Sequence, residues 1–249
     1  DGQESIALVA SSPHPDIKAL RSAVESNANY DFQQFILSNP KDVESLKNSP
    51  KKFDLVIFHQ LPSKRGVDNT IANELSALNI STLNILGSQN DLRLFNNTNS
   101  LVDIDASAAE YDQITAAFNR NFENFKLSDE LQLSFDQFPP LTVPFGKYTN
   151  KPETSTLLYQ RVGNITTSRP LLAVKLDGDV KRAVFTGQGI WKWKLTDYAN
   201  NGSNVLFNEL ITKLVQYLSS KDDKRKVKIY PLKNEYSTRE SIVFETQIY

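Results

Sequence analysis

The chain has only two histidines, His14 and His59, and each comes soon after a short apolar segment. The segments are residues 5–10 and residues 53–58, and both are typical of strands buried on two faces of a parallel sheet. They are the first and third predicted strands, which can flank the point of a doubly wound sheet where ligands bind. We therefore expect both imidazoles to face one crevice at the carboxyl edge of the sheet.

Ser88 follows the next strand, residues 82–86, at the same predicted edge, and Asp91 comes one turn later. A serine beside a histidine would suit a hydrolase in which His59 accepts the proton of Ser88. His14 and His59 with a carboxylate would instead suit a metal ion. We favour a structural or simple ligand-contacting role for the histidines, because position at a sheet edge is not itself a catalytic geometry.

Other chemistry is restricted by what the sequence lacks. The chain has no cysteine, which excludes thiolate catalysis, disulfides and thiolate metal sites. It has neither a Gly-rich dinucleotide fingerprint nor a Walker motif, so we expect no cofactor. Gly87 and Ser88 precede a predicted helical segment and could offer backbone N–H groups to an anion, although this signal is weak.

Two tryptophans, Trp191 and Trp193, alternate with Lys192 and Lys194. Indole rings could form a patch that binds a sugar or a partner protein. We favour a structural role in which one ring is buried between sheet and helix while the other is partly exposed.

These residues depend on an α/β framework. Strands and helices alternate from residue 5 to residue 94, which predicts a doubly wound, mainly parallel sheet with flavodoxin-like topology. Asp177-Gly178 between two apolar runs predicts a hairpin. We also predict helices over residues 127–138, where Ser128 would be the N-cap, and over residues 203–219.

The composition changes after residue 220. Residues 221–226 are a charged run typical of a linker, and the segments 227–231 and 241–249 alternate like strands of a β-sandwich. We therefore expect an α/β domain over residues 1–220, and a linker with the first strands of a truncated all-β, immunoglobulin-like domain over residues 221–249. Because the sequence does not begin with Met, we expect a piece of a longer protein.

Bulk composition narrows the range of partners. Hydrophobic residues make up 39% of the 249 residues, charged residues 23%, and the net charge is -1. This balance predicts a folded, soluble body and argues against nucleic acid as the main partner. No apolar run is long enough to span a bilayer, so we expect no direct membrane insertion by this segment.

Several segments together resemble a known family. They are residues 6–15, 54–62, 187–195 and 206–221, and the Trp191-Lys192-Trp193 region is the most specific of them. Over residues 5–220 the chain is similar to the class I glutamine amidotransferase-like domain of bacterial membrane-anchored proteins, which often also carry aerotolerance-regulator or von Willebrand A segments. In that setting the domain is regarded as degenerate, and an immunoglobulin-like segment can follow it.

The resemblance implies where a catalytic site would lie. Active relatives place a cysteine on a sharp turn after a central strand, and a His-x-Glu pair after a late strand. The matching turns here are residues 86–89 and residues 186–189, and neither carries the expected Cys, His or Glu. Glutaminase activity is therefore not expected. The candidate binding-crevice residues are Ser12, His14, His59, Gln60, Gly87, Ser88, Gln89 and Gln188.

We therefore expect a non-catalytic amidotransferase-like scaffold or binding module within a larger inner-membrane protein of the cell envelope, on the periplasmic side. Its expected partners are other domains of the same polypeptide and envelope proteins. The alternatives are a small-molecule hydrolase rebuilt around Ser88, His59 and His14, and a ligand sensor that uses the same crevice.

Overall fold

The structure is a computed structural model that describes residues 2–50, 52–66, 68–106, 110–221, 227–231 and 244–248. It divides into two compact units, Asp1–Ser219 and Ser220–Tyr249. The helices are α1 Pro15–Glu25, α2 Pro40–Asn48, α3 Asn69–Ser76, α4 Leu92–Thr98, α5 Asp129–Ser134, α6 Trp191–Asn201 and α7 Val205–Ser219. The strands are β1 Glu4–Ala10, β2 Tyr30–Ile36, β3 Leu55–His59, β4 Ser81–Ile85, β5 Val102–Asp105, β6 Tyr111–Phe118, β7 Leu141–Pro144, β8 Lys147–Asn150, β9 Ser155–Val162, β10 Ile165–Asp177, β11 Val180–Phe185, β12 Val227–Pro231 and β13 Phe244–Ile248.

Nine of the described strands form one sheet, in the order β2-β1-β3-β4-β11-β10-β9-β6-β7. The order of the first four strands, β2-β1-β3-β4, is flavodoxin-like. In this order β1 and β3 are neighbours, which is the arrangement that brings His14 and His59 to one place. The first four strands and β11 are joined by parallel pairings, whereas the pairings from β11 to β7 are antiparallel. The fold is α/β, but the sheet is mixed, so the prediction of a mainly parallel sheet was wrong.

Short turns connect β9 to β10 and β10 to β11, because antiparallel neighbours need no helical crossover. The predicted hairpin at Asp177-Gly178 is confirmed: Asp177 pairs with Val180, and Gly178 has a φ of 64° in the left-handed region. A second glycine with positive φ, Gly163, lies in the turn between β9 and β10.

Alternating side chains of the parallel strands fill two cores. Ile6 and Leu8 of β1 lie in the core cluster that also contains apolar residues of α1 and α7. Ala7 and Val9 point the other way, into a cluster with Leu46 of α2 and residues of α3. Because both of their faces are covered, β1 and β3 carry continuous apolar runs rather than an alternating pattern.

Two helices differ from the sequence prediction. Ser128 does cap α5, since its Oγ accepts the N–H of Leu131, but the helix ends at Ser134 rather than at residue 138. The sequence did not predict α6, which begins at Trp191. Within the part of the chain that the structure describes, every helix is too short or too polar to cross a membrane.

The tryptophan pair divides as predicted. Trp193 is 0% exposed and packs among Phe135, Phe138 and Phe185, with its ring stacked 5.1 Å from that of Phe138. Its Nε1 donates to the carbonyl of Pro139. Trp191 is 37% exposed. The structural interpretation of this pair is thus confirmed for Trp193.

Trp193→Phe is expected to lower the free energy of unfolding by about 1 to 3 kcal/mol, because it removes buried ring volume and leaves the Pro139 carbonyl without its donor. Trp191→Phe is the matched control and should change stability by less than about 0.5 kcal/mol. Urea denaturation followed by far-UV circular dichroism measures both. Equal effects of the two substitutions would contradict the assignment.

In the second unit, the described residues form one antiparallel pair, in which Val227 pairs with Ile248 and Pro231 with Phe244. An immunoglobulin-like sandwich in this unit stays a prediction. The predicted linker is residues 221–226, and all of it except Lys221 lies outside the described residues.

Candidate functional site

The two turns matched to a catalytic site lie side by side at the carboxyl edge of the sheet. One follows β4 and contains Gly87 and Ser88, and the other follows β11 and contains Gln188. They are neighbours because β4 and β11 pair in parallel. Gln188 joins the turns directly, since its Oε1 accepts the Ser88 N–H at 3.1 Å and the Gln60 Nε2 at 3.1 Å.

All three consecutive backbone N–H groups of the first turn have a side-chain acceptor. Asn90 Oδ1 accepts the Gly87 N–H at 2.8 Å, Gln188 Oε1 accepts that of Ser88, and Gln60 Oε1 accepts that of Gln89 at 2.8 Å. We call Gln60, Gly87, Ser88, Gln89 and Gln188 the glutamine cluster. An anion at Gly87 and Ser88 would therefore have to displace side-chain acceptors from these backbone N–H groups, and anion binding there stays a prediction.

Gln60 is held in an uncommon backbone conformation. Its φ is 55°, a left-handed value that a residue with a side chain seldom adopts, and the residue is buried. Such strain persists only where the surroundings determine it strongly. Here, the Gln60 side chain is held by two hydrogen bonds, one to Gln89 in the first turn and one to Gln188 in the second.

The pairing of Ser88 with a histidine, which the hydrolase alternative requires, is not formed between the described residues. Within the described ranges, no hydrogen bond joins the Ser88 Oγ to His59 or His14. The Ser88 carbonyl instead accepts from Lys64 Nζ at 2.9 Å and from the Tyr111 hydroxyl at 3.2 Å. Without a positioned base, a serine hydroxyl is a weak nucleophile.

The cluster makes Gly87 sensitive to substitution. A Cβ atom at this position would lie 2.4 Å from Gln188 Oε1 and 2.5 Å from the Nε2 of Gln60. Because both amides are already hydrogen-bonded, Gly87→Ala is expected to lower the free energy of unfolding by about 1 to 3 kcal/mol. Gly2→Ala, where no atom lies within 4 Å, is the control for urea denaturation. Equal stability of the two variants would contradict this expectation, because it would show that the Gln60 and Gln188 side chains can move aside at little cost.

The two histidines lie next to each other, as predicted: His14 follows β1, and His59 is the last residue of β3. Their ring centroids are 5.0 Å apart with an interplanar angle of 43°. His14 is partly exposed and caps α1, because its Nδ1 accepts the Asp16 N–H at 3.1 Å. His59 is 1% exposed, and its Nε2 has no hydrogen-bond partner among the residues that the structure describes. We call His14, Asp16 and His59 the histidine cluster.

Burial controls the charge of His59. Desolvation, with a smaller contribution from the neighbouring His14, lowers the pKa of His59 from 6.5 to about 3. The imidazole is therefore neutral at physiological pH and can act as a ligand or a hydrogen-bonding group.

Asp16 is the site residue that the sequence did not single out. Its fully buried carboxylate accepts the Gly189 N–H at 2.7 Å and the Trp191 N–H at 2.9 Å, at the start of α6. Its Oδ2 also lies 3.6 Å from His14 Nδ1. The carboxylate near the histidines is therefore Asp16, whereas Asp91 caps α4 by accepting the Leu94 N–H.

The loop after β1 completes the edge. Ser12 is half-buried in this loop, while the neighbouring Ser11 is buried and donates from its Oγ to Asp68 at 3.3 Å. The Ser11 N–H donates to the His59 carbonyl. Apart from Ser12, the candidate residues lie in two adjoining groups, the glutamine and histidine clusters, which are connected through the consecutive residues His59 and Gln60.

The chain is thus an α/β protein with a flavodoxin-like strand order, in which the turns after β4 and β11 lie side by side at the carboxyl edge of the sheet. No family model matches the chain, and no curated protein matches it. Similar solved structures include a GMP synthase chain from Thermoplasma acidophilum, with 14% identity over 87% of this chain and 96% of that chain, at a TM-score of 0.41.

The glutaminase domain of a CTPS from Trypanosoma brucei is also similar, with 11% identity over 88% of this chain and 95% of that chain, at a TM-score of 0.41. A β-galactosidase from Bacillus circulans sp. alkalophilus shows 10% identity over 92% of this chain, at a TM-score of 0.46. This chain spans only 34% of that galactosidase. Structures similar to this chain thus include glutamine amidotransferase-type chains, but identities and TM-scores this low transfer no activity or site residue.

Proposed function

We propose that the chain is a non-catalytic, amidotransferase-like binding or scaffold module. The observation that carries this proposal is the closed first turn: the N–H groups of Gly87, Ser88 and Gln89 are all bonded to side chains. Acyl-transfer enzymes need such donors free, and aimed at the oxygen on which negative charge develops. Occupied donors therefore support a role without acyl transfer.

The second turn supports the same proposal. Gln188 stands where the resemblance places a catalytic His-x-Glu pair, and its side chain is committed to Ser88 and Gln60. A glutamine amide cannot act as a general base near neutral pH, unlike an imidazole or a carboxylate. Since the chain also has no cysteine, both halves of the amidotransferase site are replaced.

The wider setting rests on the sequence resemblance. We infer that the module belongs to a larger membrane-anchored protein of the cell envelope, on its periplasmic side. Its partners would be other domains of the same polypeptide or envelope proteins. Fractionation of the source cells, followed by detection of this segment, tests the setting: we expect a membrane-bound band above 28.1 kDa. A soluble band at that mass would contradict it.

A turnover assay tests the lack of catalysis. The purified chain and its Ser88→Ala variant are incubated with glutamine and with activated ester and amide substrates. Both proteins should give the background rate of hydrolysis in buffer alone, because no described residue is placed as a base beside the Ser88 hydroxyl. Turnover that is lost in Ser88→Ala but retained in Asp91→Asn would overturn the proposal in favour of a hydrolase.

A further inference from the structure

We propose that His14, Asp16 and His59 form a binding site for a divalent transition metal ion, with zinc as the representative ion. The inference rests on the geometry of the histidine cluster and does not depend on the proposed function. One ligand atom from each residue lies within 4.8 Å of those of the other two.

The chemistry of the three groups fits such an ion. Two imidazoles and one carboxylate are the donors that zinc and its neighbours in the transition series prefer, whereas calcium and magnesium prefer oxygen donors alone. Three protein ligands leave a fourth position for water. His14 is the exposed member of the cluster, with 22% of its side chain accessible, and so gives an ion a path from solvent.

An independent observation is the unpartnered nitrogen of His59. This residue is 1% exposed, yet no described residue makes a hydrogen bond to its Nε2. A buried polar atom without a partner keeps the full cost of its desolvation, so native proteins seldom retain one without a reason. A bound ion, or a water on that ion, would supply the missing partner.

The surroundings hold the ligands in place. The Asp16 carboxylate is fixed by the N–H groups of Gly189 and Trp191, and hydrogen bonds of this kind orient carboxylate ligands in metal sites. His59 is fixed because it ends β3 and is buried. Tetrahedral zinc places its ligand atoms about 3.3 Å apart. The partly exposed His14 side chain is the group that would move to complete this geometry.

The test uses the full chain after removal of metal by a chelator. Zinc is titrated in a calorimeter, and cobalt is added separately as a spectroscopic probe. We expect one zinc per chain and a visible cobalt spectrum of a four- or five-coordinate site. His14→Asn keeps an acceptor at the N-cap of α1 but removes the imidazole, and it should weaken zinc binding about tenfold or more. His59→Phe should do the same.

Asp91→Asn is the matched control, because Asp91 caps α4 away from the cluster, and it should bind zinc as the unmodified chain does. Circular dichroism verifies folding of each variant. If His59→Phe does not fold, the exposed His14→Asn variant decides the outcome. Absence of zinc binding at micromolar metal, or binding that both histidine variants retain unchanged, would overturn the proposal.

Discussion

Asp16→Ala is expected to destabilise the protein by about 3 to 5 kcal/mol, which is among the larger effects a single substitution produces. The substitution removes the acceptor of two backbone N–H groups, those of Gly189 and Trp191, at 2.7 and 2.9 Å. Each N–H left buried without a partner costs roughly 1 to 3 kcal/mol. The loss also frees the start of α6 from the first turn of α1.

Urea denaturation at pH 7 measures this effect. Asp31→Ala is the control, because Asp31 is an exposed carboxylate that accepts a hydrogen bond from the Gln33 side chain. Its removal should change stability by less than about 0.5 kcal/mol. If Asp16→Ala were no more destabilising than Asp31→Ala, the hydrogen bonds from Asp16 of α1 to the start of α6 would not stabilise the fold.

The metal-free protein is expected to lose stability in acid because of His59. The pKa of His59 is about 3 when folded and 6.5 when unfolded, so between these values the unfolded chain binds more protons. Stability attributable to this residue is complete above pH 6.5 and falls by about 1.4 kcal/mol per pH unit as the pH decreases towards 3. Over the whole window the loss is roughly 4 to 5 kcal/mol.

Carboxylates also titrate in this range, so the informative quantity is the difference between two proteins. The free energy of unfolding is measured from pH 7 to pH 4 for the unmodified chain and for His59→Phe, both in the presence of a chelator. As the pH falls, the free energy of unfolding of the unmodified chain should decrease more than that of His59→Phe. Parallel pH profiles would mean that the His59 imidazole is not buried in its neutral form.

The parallel half of the fold could be predicted because its signals are local. Residues 5–10 and 53–58 are short, largely apolar segments, which is typical of strands covered on both faces. Since these segments form neighbouring parallel strands, the histidines that follow them reach the same edge of the sheet. The hairpin at Asp177-Gly178 is likewise determined locally, because only two residues separate the paired Asp177 and Val180.

The site could not be predicted in the same way because its contacts span the sequence. Gln60 and Gln188 are 128 positions apart, and Asp16 is 173 positions from Gly189. Glutamine has no distinctive spacing, so only the pairing of β4 with β11 shows that Gln188 closes the first turn. The start of α6 was missed because its capping carboxylate, Asp16, lies on another element.

The central claim, that the turn at Ser88 is closed to acyl transfer, is tested most directly by labelling with a fluorophosphonate. This reagent modifies a serine that a neighbouring base has activated. Intact-mass spectrometry of the labelled chain is compared with that of Ser88→Ala, and a known serine hydrolase serves as the positive control. We predict no adduct on either form of this chain. A single adduct that is present on the unmodified chain and absent from Ser88→Ala would contradict the claim.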